Sequence, residues 1–493
     1  MTTAYARNLI AGTWEGPGAD GIPTSDPATG EAIGVAPRSK AADVDRAVRA
    51  AKAALPGWAA TPAPRRADLL FRAAGLLEQR KDHLGHLVTR EMGKVKEEAL
   101  GDVQEAIDMA YLMAGEGRRL YGVTTPSELP NKLCMTLREP VGVCGLVTPW
   151  NFPVAIPSWK SLPALVCGNT VVIKPSEETP GCATAYVECL VDAGVPAGVV
   201  NLVHGTGEEA GARLVAHEDV AAVSFTGSVE TGRKVQVAAA PSFKRTHLEM
   251  GGKNGVVVLD DADLDFAVRA ILWSAFGTSG QRCTAASRVI AQAGIHDRLV
   301  ERLAEGARHL KLGHGWSPGV QVGPLVRPWA VEKVEKYVQI GLDEGARLVA
   351  GGRRPKDPAL ARGHFFEPTV FAGVDPSMRI AQEEIFGPVT AVLRVQDLDE
   401  AIRVHNGTAY GLSGAIITRD LASSMKAARS FQTGIVYVHN GTIGAEVHLP
   451  FGGIKHTGNG HREAGIAGID FFTDWKTVYV DYSGALQRAQ IDR

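Results

Sequence analysis

The run Val141-Gly142-Val143-Cys144-Gly145-Leu146-Val147 leads into the turn Thr148-Pro149-Trp150-Asn151-Phe152-Pro153, and a helical pattern over 154–167 follows. Apolar runs over 170–173, 199–203 and 220–225 repeat the first half of that unit. Helical patterns over 181–193, 208–216 and 229–239 repeat the second, before a short strand near 246–248. Short β-rich runs separated by helices of about a dozen residues predict βαβ units and a parallel sheet, with ligands at the carboxyl ends of its strands. The fold class is therefore α/β, of a nucleotide-binding kind. Further turns follow the other strands: Lys174-Pro175-Ser176-Glu177, His204-Gly205-Thr206-Gly207 and Thr226-Gly227-Ser228-Val229-Glu230-Thr231-Gly232. They offer a dinucleotide what it needs, helix N-termini for its pyrophosphate and a carboxylate or amine for the ribose hydroxyls. The usual G-x-G-x-x-G is absent, and Gly205-Thr206-Gly207 matches it only in part, so ordinary tight turns fit these stretches too.

Upstream, Val44, Ala47, Val48, Ala51 and Leu55 lie on one helical face, and Pro56-Gly57 stops the pattern. A second helix starts at Pro64, and a helical pattern over 86–113 is interrupted only by Gly93 and Gly101. Between 124 and 140 the texture turns Pro- and Thr-rich, with an extended piece over 132–137 that suits an interface arm. Downstream, a strand over 255–259 and a helix over 264–276 lead into Gly277-Thr278-Ser279-Gly280-Gln281-Arg282-Cys283-Thr284-Ala285-Ala286-Ser287-Arg288. Small turn-forming residues there deliver one cysteine to the end of an apolar helix beside cationic Arg282, a setting that favours thiolate, so Cys283 is the candidate nucleophile. An ordinary buried cysteine in a Gly-rich turn fits the same window. Helical 330–344 and 398–405 alternate with strand-like 388–394 and 434–438, which makes a second α/β domain around the cysteine.

At 493 residues with 45% apolar content, the chain suffices for two or three domains with sizeable cores. A net charge of -2 without a long block of like charge excludes the electrostatic footprint of a nucleic-acid or membrane-surface binder. Six cysteines without C-x-x-C spacing fit reduced thiols better than disulfides or a zinc site. His448, His456 and His461 do not form a metal-ligand pattern, and no metal is expected. The first seven residues lack a signal pattern and no uncharged apolar run reaches spanning length, so a cytoplasmic enzyme is expected.

Seven motifs in order resemble the aldehyde dehydrogenase superfamily: Pro149-Trp150-Asn151-Phe152-Pro153, Lys174-Pro175-Ser176-Glu177, Phe225-Thr226-Gly227-Ser228, Leu248-Glu249-Met250-Gly251-Gly252-Lys253, Gly280-Gln281-Arg282-Cys283, Glu383-Glu384-Ile385-Phe386-Gly387-Pro388 and Pro450-Phe451-Gly452-Gly453. The resemblance implies a dinucleotide-binding domain over 1–121 and 141–251, a catalytic domain over 252–456, and an oligomerisation arm and tail over 122–140 and 457–493. It implies oxidation of an aldehyde to an acid, with Cys283 as nucleophile, Asn151 and the Cys283 N–H meeting the oxyanion, and Glu249 activating the water that hydrolyses the thioester. The implied cofactor is NAD, with NADP less favoured. By the same resemblance Lys174 and Glu177 would hold the adenosine ribose, Ser228 and Gly227 the pyrophosphate and Glu384 the nicotinamide ribose, while Phe386 would pack near the nicotinamide. Val147, Thr148, Pro149, Trp150, Ser176, Gly207, Met250 and Gly251 complete that site. A carboxylate at Glu177 would repel a 2′-phosphate.

Arg282 before the nucleophile resembles the subgroup that acts on semialdehydes with a distal carboxylate, the 2-oxoglutarate and 2-aminoadipate semialdehyde dehydrogenases. Arginine suits two-pronged carboxylate binding, and a salt bridge that orders the turn is its other reading. Phe152, Trp159 and Phe451 are expected to line the aldehyde tunnel, with Gly444 and Ala445 in an anchoring loop. A broad-specificity enzyme and a CoA-acylating relative are the alternatives. The expected partners are a small aldehyde and further copies of the chain in a homodimer or homotetramer, with neither nucleic acid nor membrane.

Overall fold

The computed structural model describes residues 5–492; positions 1–4, at the start of the stretch read for a leader, lie outside them. One seven-stranded sheet has the order Arg245–Glu249, Ala222–Thr226, Val143–Val147, Thr170–Lys174, Val200–Leu202, Asn8–Ile10, Thr13–Glu15. Its first five strands are parallel, and the N-terminal hairpin joins antiparallel to Val200–Leu202. Thr170–Lys174 and Ala222–Thr226 are buried along nearly their whole length, with Val171, Val172 and Ile173 a continuous apolar run, because helices cover both faces of a parallel sheet. Val147, Lys174, Thr226 and Glu249 are the last residues of four adjacent strands, so their side chains and following turns share one end of the sheet.

A second seven-stranded sheet has the order Arg347–Ala350, Thr369–Ala372, Val389–Val395, Ala286–Gln292, Asn254–Val258, Ser413–Ile417, Ile435–Val438, and only Arg347–Ala350 runs antiparallel. Its central strand Ala286–Gln292 begins three residues after Cys283. A third sheet joins Thr473–Asp481, Lys132–Pro140 and Thr124–Pro126. The arm and tail strands pair with each other inside the chain, antiparallel from Thr473↔Pro140 to Asp481↔Lys132. Leu133, Leu137, Trp475 and Tyr479 remain exposed on this sheet.

Several local expectations change. The helix Ala41–Ala60 runs through Pro56. A proline costs a helix one N–H bond and a ring clash, yet buried Trp58 two residues further on docks on the core and its indole donates to the Leu165 carbonyl at 3.1 Å. Gly93, at φ 89°, does end the helix Lys81–Met92, whereas Gly101 sits undisturbed inside Lys96–Glu116. The 208–216 helix opens as a π-turn, Gly207–Gly211, before Ala212–Ala216. Residues 458–472 do not trail away as a tail. Phe451 and Glu463 exchange backbone N–H···O bonds at 2.7 Å, and the helix Gly465–Phe471 packs on Ala155–Val166. No helix among the described residues is long and apolar enough to cross a membrane.

Candidate active site

The cysteine turn is a strained segment held from outside. Thr278, Ser279 and Gly280 have φ of 52°, 55° and 69°, successive left-handed residues of which two carry side chains. Such conformations cost on the order of 1–3 kcal/mol each and persist only where neighbours enforce them. Here Glu98 accepts the Thr278 N–H at 2.8 and 3.0 Å and the Thr278 hydroxyl at 3.1 Å. The Ser279 hydroxyl donates to Gly323 O at 2.7 Å, and Gln281 Oε1 accepts the Val326 N–H at 3.0 Å. A Cβ on Gly280 would come within 2.1 Å of the Gly387 carbonyl oxygen, so the turn seats directly on that backbone.

Arg282 serves this turn. Its Nε donates to Thr278 Oγ1 at 2.8 Å and its Nη2 to Glu98 Oε1 at 3.3 Å, while the guanidinium lies 5.2 Å from the Phe152 ring centroid. The expected bias of Cys283 toward thiolate is not met. Burial pushes the thiol up to about 12, with the Glu249 and Glu384 charges adding to the shift and Arg282 opposing it. The guanidinium charge is already engaged by Glu98, so it offsets that rise only in part. Asn151 is buried and spends one amide hydrogen on Gln281 O at 3.1 Å; the amide carries a second.

Facing the cysteine, Glu249 ends the strand Arg245–Glu249. Its Oε1 lies 3.2 Å from His247 Nε2, and its Oε2 is buried with no hydrogen-bond partner among the described residues. Burial holds this carboxyl well above the usual carboxylate range, and the Glu463 charge raises it further against Lys160. Lys160 Nζ donates to a Glu463 oxygen and, at 2.9 Å, to Ser224 Oγ.

Two clefts meet at Cys283. The first holds about 800 Å³ of space open to solvent and is lined by Pro149, Trp150, Asn151, Thr226, Gly227, Ser228, Met250, Gly251, Glu384 and Phe386, with Ile156, Trp329 and Lys333. Val147, Thr148, Lys174, Ser176, Glu177 and Gly207 lie outside this lining, Val147 and Lys174 at adjacent strand ends and the others in the turns that follow. There the buried Lys174 Nζ donates to Glu177 Oε2 at 3.3 Å. Ser228 caps the helix Val229–Ala239, its Oγ accepting the Thr231 N–H at 3.2 Å. Glu384 Oε1 accepts the Gly252 N–H at 2.9 Å, an approach open only because Gly251 lacks a Cβ, which would lie 2.2 Å from Glu384 Oε2. Thr226 Oγ1 is buried in this wall without a partner among the described residues. A capped helix N-terminus, a lysine–glutamate pair and an unused hydroxyl fit the donors and acceptors of a dinucleotide.

The second cleft, about 600 Å³, brings together Phe152, Trp159, Arg282, Gly444, Ala445 and Phe451 with Glu249 and Cys283. Trp159 and Phe451 meet edge to face at 5.3 Å, and the Trp159 indole N–H is buried without a partner among the described residues. Glu105 also lines it. Burial and the Asp102 charge push its carboxyl up to about 7, with Lys94 and Arg282 opposing. Sequence reasoning missed Glu98, Asp102 and Glu105, although their spacing on the helix Lys96–Glu116 puts all three on one face. It also missed His247, which shares a strand face with Glu249 by the two-residue repeat, and Lys160 and Glu463, which carry no comparable signal. Among the described residues no group of three His, Cys, Asp or Glu could hold a metal ion.

The model of the aldehyde dehydrogenase family matches residues 14–478. The chain is 40% identical over 475 residues to the alpha-ketoglutaric semialdehyde dehydrogenase of Bacillus subtilis, covering 96% of this chain and 97% of that one. It is 42% identical over 483 residues to the alpha-ketoglutarate semialdehyde dehydrogenase of Haloferax volcanii, covering 97% of this chain and 100% of that one. A crystal structure of betaine aldehyde dehydrogenase from Staphylococcus aureus in complex with NAD+ superposes with a TM-score of 0.95 at 33% identity, covering 98% of this chain and 96% of that one.

Proposed function

The chain belongs to the aldehyde dehydrogenase family, and from that premise we propose that it oxidises an aldehyde bearing a distal carboxylate, with Cys283 as nucleophile and Glu249 as hydrolytic base. The observation that carries this reading is the junction of the two clefts at Cys283, with the unpartnered Oε2 of Glu249 in the aldehyde cleft.

Cys283 Sγ, its proton removed, bonds to the aldehyde carbon. The negative oxygen so formed is met by the free amide hydrogen of Asn151 and the backbone N–H of Cys283. NAD bound in the first cleft supplies the hydride acceptor for the carbon, which is left as a thioester. Glu249 then takes a proton from water as the water oxygen attacks that thioester, and the C–S bond breaks to release the acid. Ser228 and Gly227 would take the pyrophosphate, Lys174 and Glu177 the adenosine ribose, and Glu384 the nicotinamide ribose. The Glu177 carboxylate supports NAD over NADP, because a 2′-phosphate beside it would be repelled.

For the substrate's far end, Arg282 and the unused indole N–H of Trp159 offer donors inside one cleft. The names of the two semialdehyde relatives point to the same class. A base with a free oxygen favours hydrolysis over release to CoA. The apolar side chains left exposed on the third sheet support assembly as a homodimer or homotetramer, and a cytoplasmic site suits six unpaired thiols. The test compares Arg282→Ala with wild type on an acidic semialdehyde and on a neutral aldehyde of similar length. A lost charge-assisted contact is worth roughly ten- to a hundredfold in kcat/KM on the acidic substrate alone. Equal losses on both would leave Arg282 only its bonds to Thr278 and Glu98 and remove the substrate class.

A further inference from the structure

The buried polar group behind Glu249 is more than a support for it. His247 and Glu249 are two residues apart on one strand, so both point to the same face. His247 is the one side-chain hydrogen-bond partner of Glu249 among the described residues, Nε2 to Oε1 at 3.2 Å. On the other edge of the ring, Nδ1 lies 3.4 Å from Glu463 Oε1 and 3.2 Å from Ser224 Oγ. The imidazole therefore bridges two carboxyl groups that share no hydrogen bond with each other and that both line the second cleft. We propose that His247 is the proton outlet of the hydrolytic base, passing the proton of Glu249 to Glu463 by exchanging one ring N–H for the other. This rests on the reading of Glu249 as that base.

The exchange balances without a charged ring. Glu249 Oε1–H gives its proton to Nε2 while Nδ1–H gives its own to Glu463 Oε1. Glu249 becomes a carboxylate, Glu463 a carboxylic acid, and His247 is neutral before and after in its other tautomer. Neutrality is what the surroundings demand. Burial is the main cause that depresses the ring's basicity, and Lys160 on the helix Ala155–Val166 and His461 and Arg462, which directly precede Glu463, depress it further. The carboxylates of Glu249 and Glu463 face its two nitrogens, and the neighbouring strand Ala222–Thr226 contributes only the Ser224 hydroxyl. Burial favours the protonated form of Glu249, so it must be emptied to act as a base and emptied again once it has taken a proton from water. Lys160 holds Glu463 in place and hydrogen-bonds Ser224, which fixes the ring edge that faces Glu463. Glu463 lines the second cleft, and from there the proton passes to solvent.

The test uses the full-length enzyme with NAD and an aldehyde it oxidises, mixed in a rapid-quench apparatus, with NADH followed by absorbance and the acyl group on Cys283 by intact-protein mass. His247→Gln keeps an amide of similar reach that can hold Glu249 but cannot exchange tautomers; His247→Ala leaves a space for added imidazole. The expected result is NADH formation in the first turnover at the wild-type rate, with acyl-enzyme decay slowed roughly ten- to a hundredfold in both variants. The decay in His247→Ala should rise with added imidazole, and wild type should not respond. Decay at the wild-type rate in either variant overturns the proposal. So does slow decay that imidazole fails to raise and whose pH profile stays parallel to wild type, because that is the mark of a merely structural residue. Absence of any acyl group on Cys283 in wild type would instead overturn the reading of Cys283 and Glu249, and the two failures are thus distinguishable.

Discussion

The turn of the proposed nucleophile, Cys283, and the strand of the proposed base, Glu249, meet at one cleft and are built differently. Around Cys283 the backbone is strained and its polar groups are engaged: Glu98, Gly323 and Val326 hold Thr278, Ser279 and Gln281. Around Glu249 the backbone is ordinary parallel strand, and the unsatisfied feature is a side chain, a raised carboxyl with one oxygen unpartnered. A nucleophile that forms a bond needs its Sγ fixed in place, and rigid backbone provides that. A base that gives and takes protons needs a poised carboxyl instead, and burial beside an imidazole provides that. Position is thus invested on one wall and proton affinity on the other.

Substitutions can break that contrast. The largest effect belongs to Cys283→Ala, which should lower NAD-dependent oxidation by at least about a thousandfold while leaving the dissociation constant for NAD within about twofold, measured by steady-state kinetics and calorimetry. Glu98→Ala comes next. It frees the Thr278 N–H and hydroxyl and leaves Arg282 without its carboxylate, so a displaced Sγ should cost roughly ten- to a hundredfold in kcat/KM for every aldehyde alike. An effect confined to acidic substrates would show that Glu98 tunes Arg282 rather than seats the turn. Glu177→Ser, remote from both walls, should shift the NAD-to-NADP ratio of kcat/KM by about tenfold and leave aldehyde KM unchanged. An unchanged ratio removes Glu177 as the discriminator.

The smallest effect tests the cleft itself. Glu105 is neutral below about 7 and ionised above it, and its negative charge opposes a substrate carboxylate in the same cleft. KM for an acidic semialdehyde should therefore rise by about fivefold as pH climbs from below to above that value, in line with one unit charge several ångströms away. Glu105→Gln should flatten the rise, and a neutral aldehyde should show none. A slope that survives in Glu105→Gln would assign the titration to another group.

Legibility followed the same division. The alternation over 141–248 reads as the parallel sheet, and the four residues that close its adjacent strands stand where ligands bind because sheet geometry leaves them no other place. The six residues expected around the substrate come from four separated stretches, Phe152 with Trp159, Arg282, Gly444 with Ala445, and Phe451, and still converge on one cleft. What escaped was held by long-range contacts. Glu98 and Thr278 are 180 positions apart, and Lys160 and Glu463 are 303 apart; neither local periodicity nor composition encodes such pairs. The central strand Ala286–Gln292 was hidden by Arg288, a charge in the middle of a buried run. Its guanidinium donates to the carbonyls of Lys253, Val404 and His405 at 3.0, 2.8 and 2.8 Å, so the polarity that disguised the strand is satisfied by backbone from three other segments. Pro56 misled for the opposite reason, since tertiary docking of Trp58 outweighs a local helix-breaking signal.

The division of labour between the two walls is tested most directly by Glu249→Gln, mixed with NAD and aldehyde and analysed by intact mass and by NADH absorbance. If Cys283 forms the bond and Glu249 only clears it, one equivalent of NADH per site appears at the wild-type rate, and the acyl group persists on Cys283 with its hydrolysis slowed by roughly a hundredfold or more. Hydrolysis of that acyl-enzyme at the wild-type rate would contradict this, as would an acyl group found on any residue but Cys283.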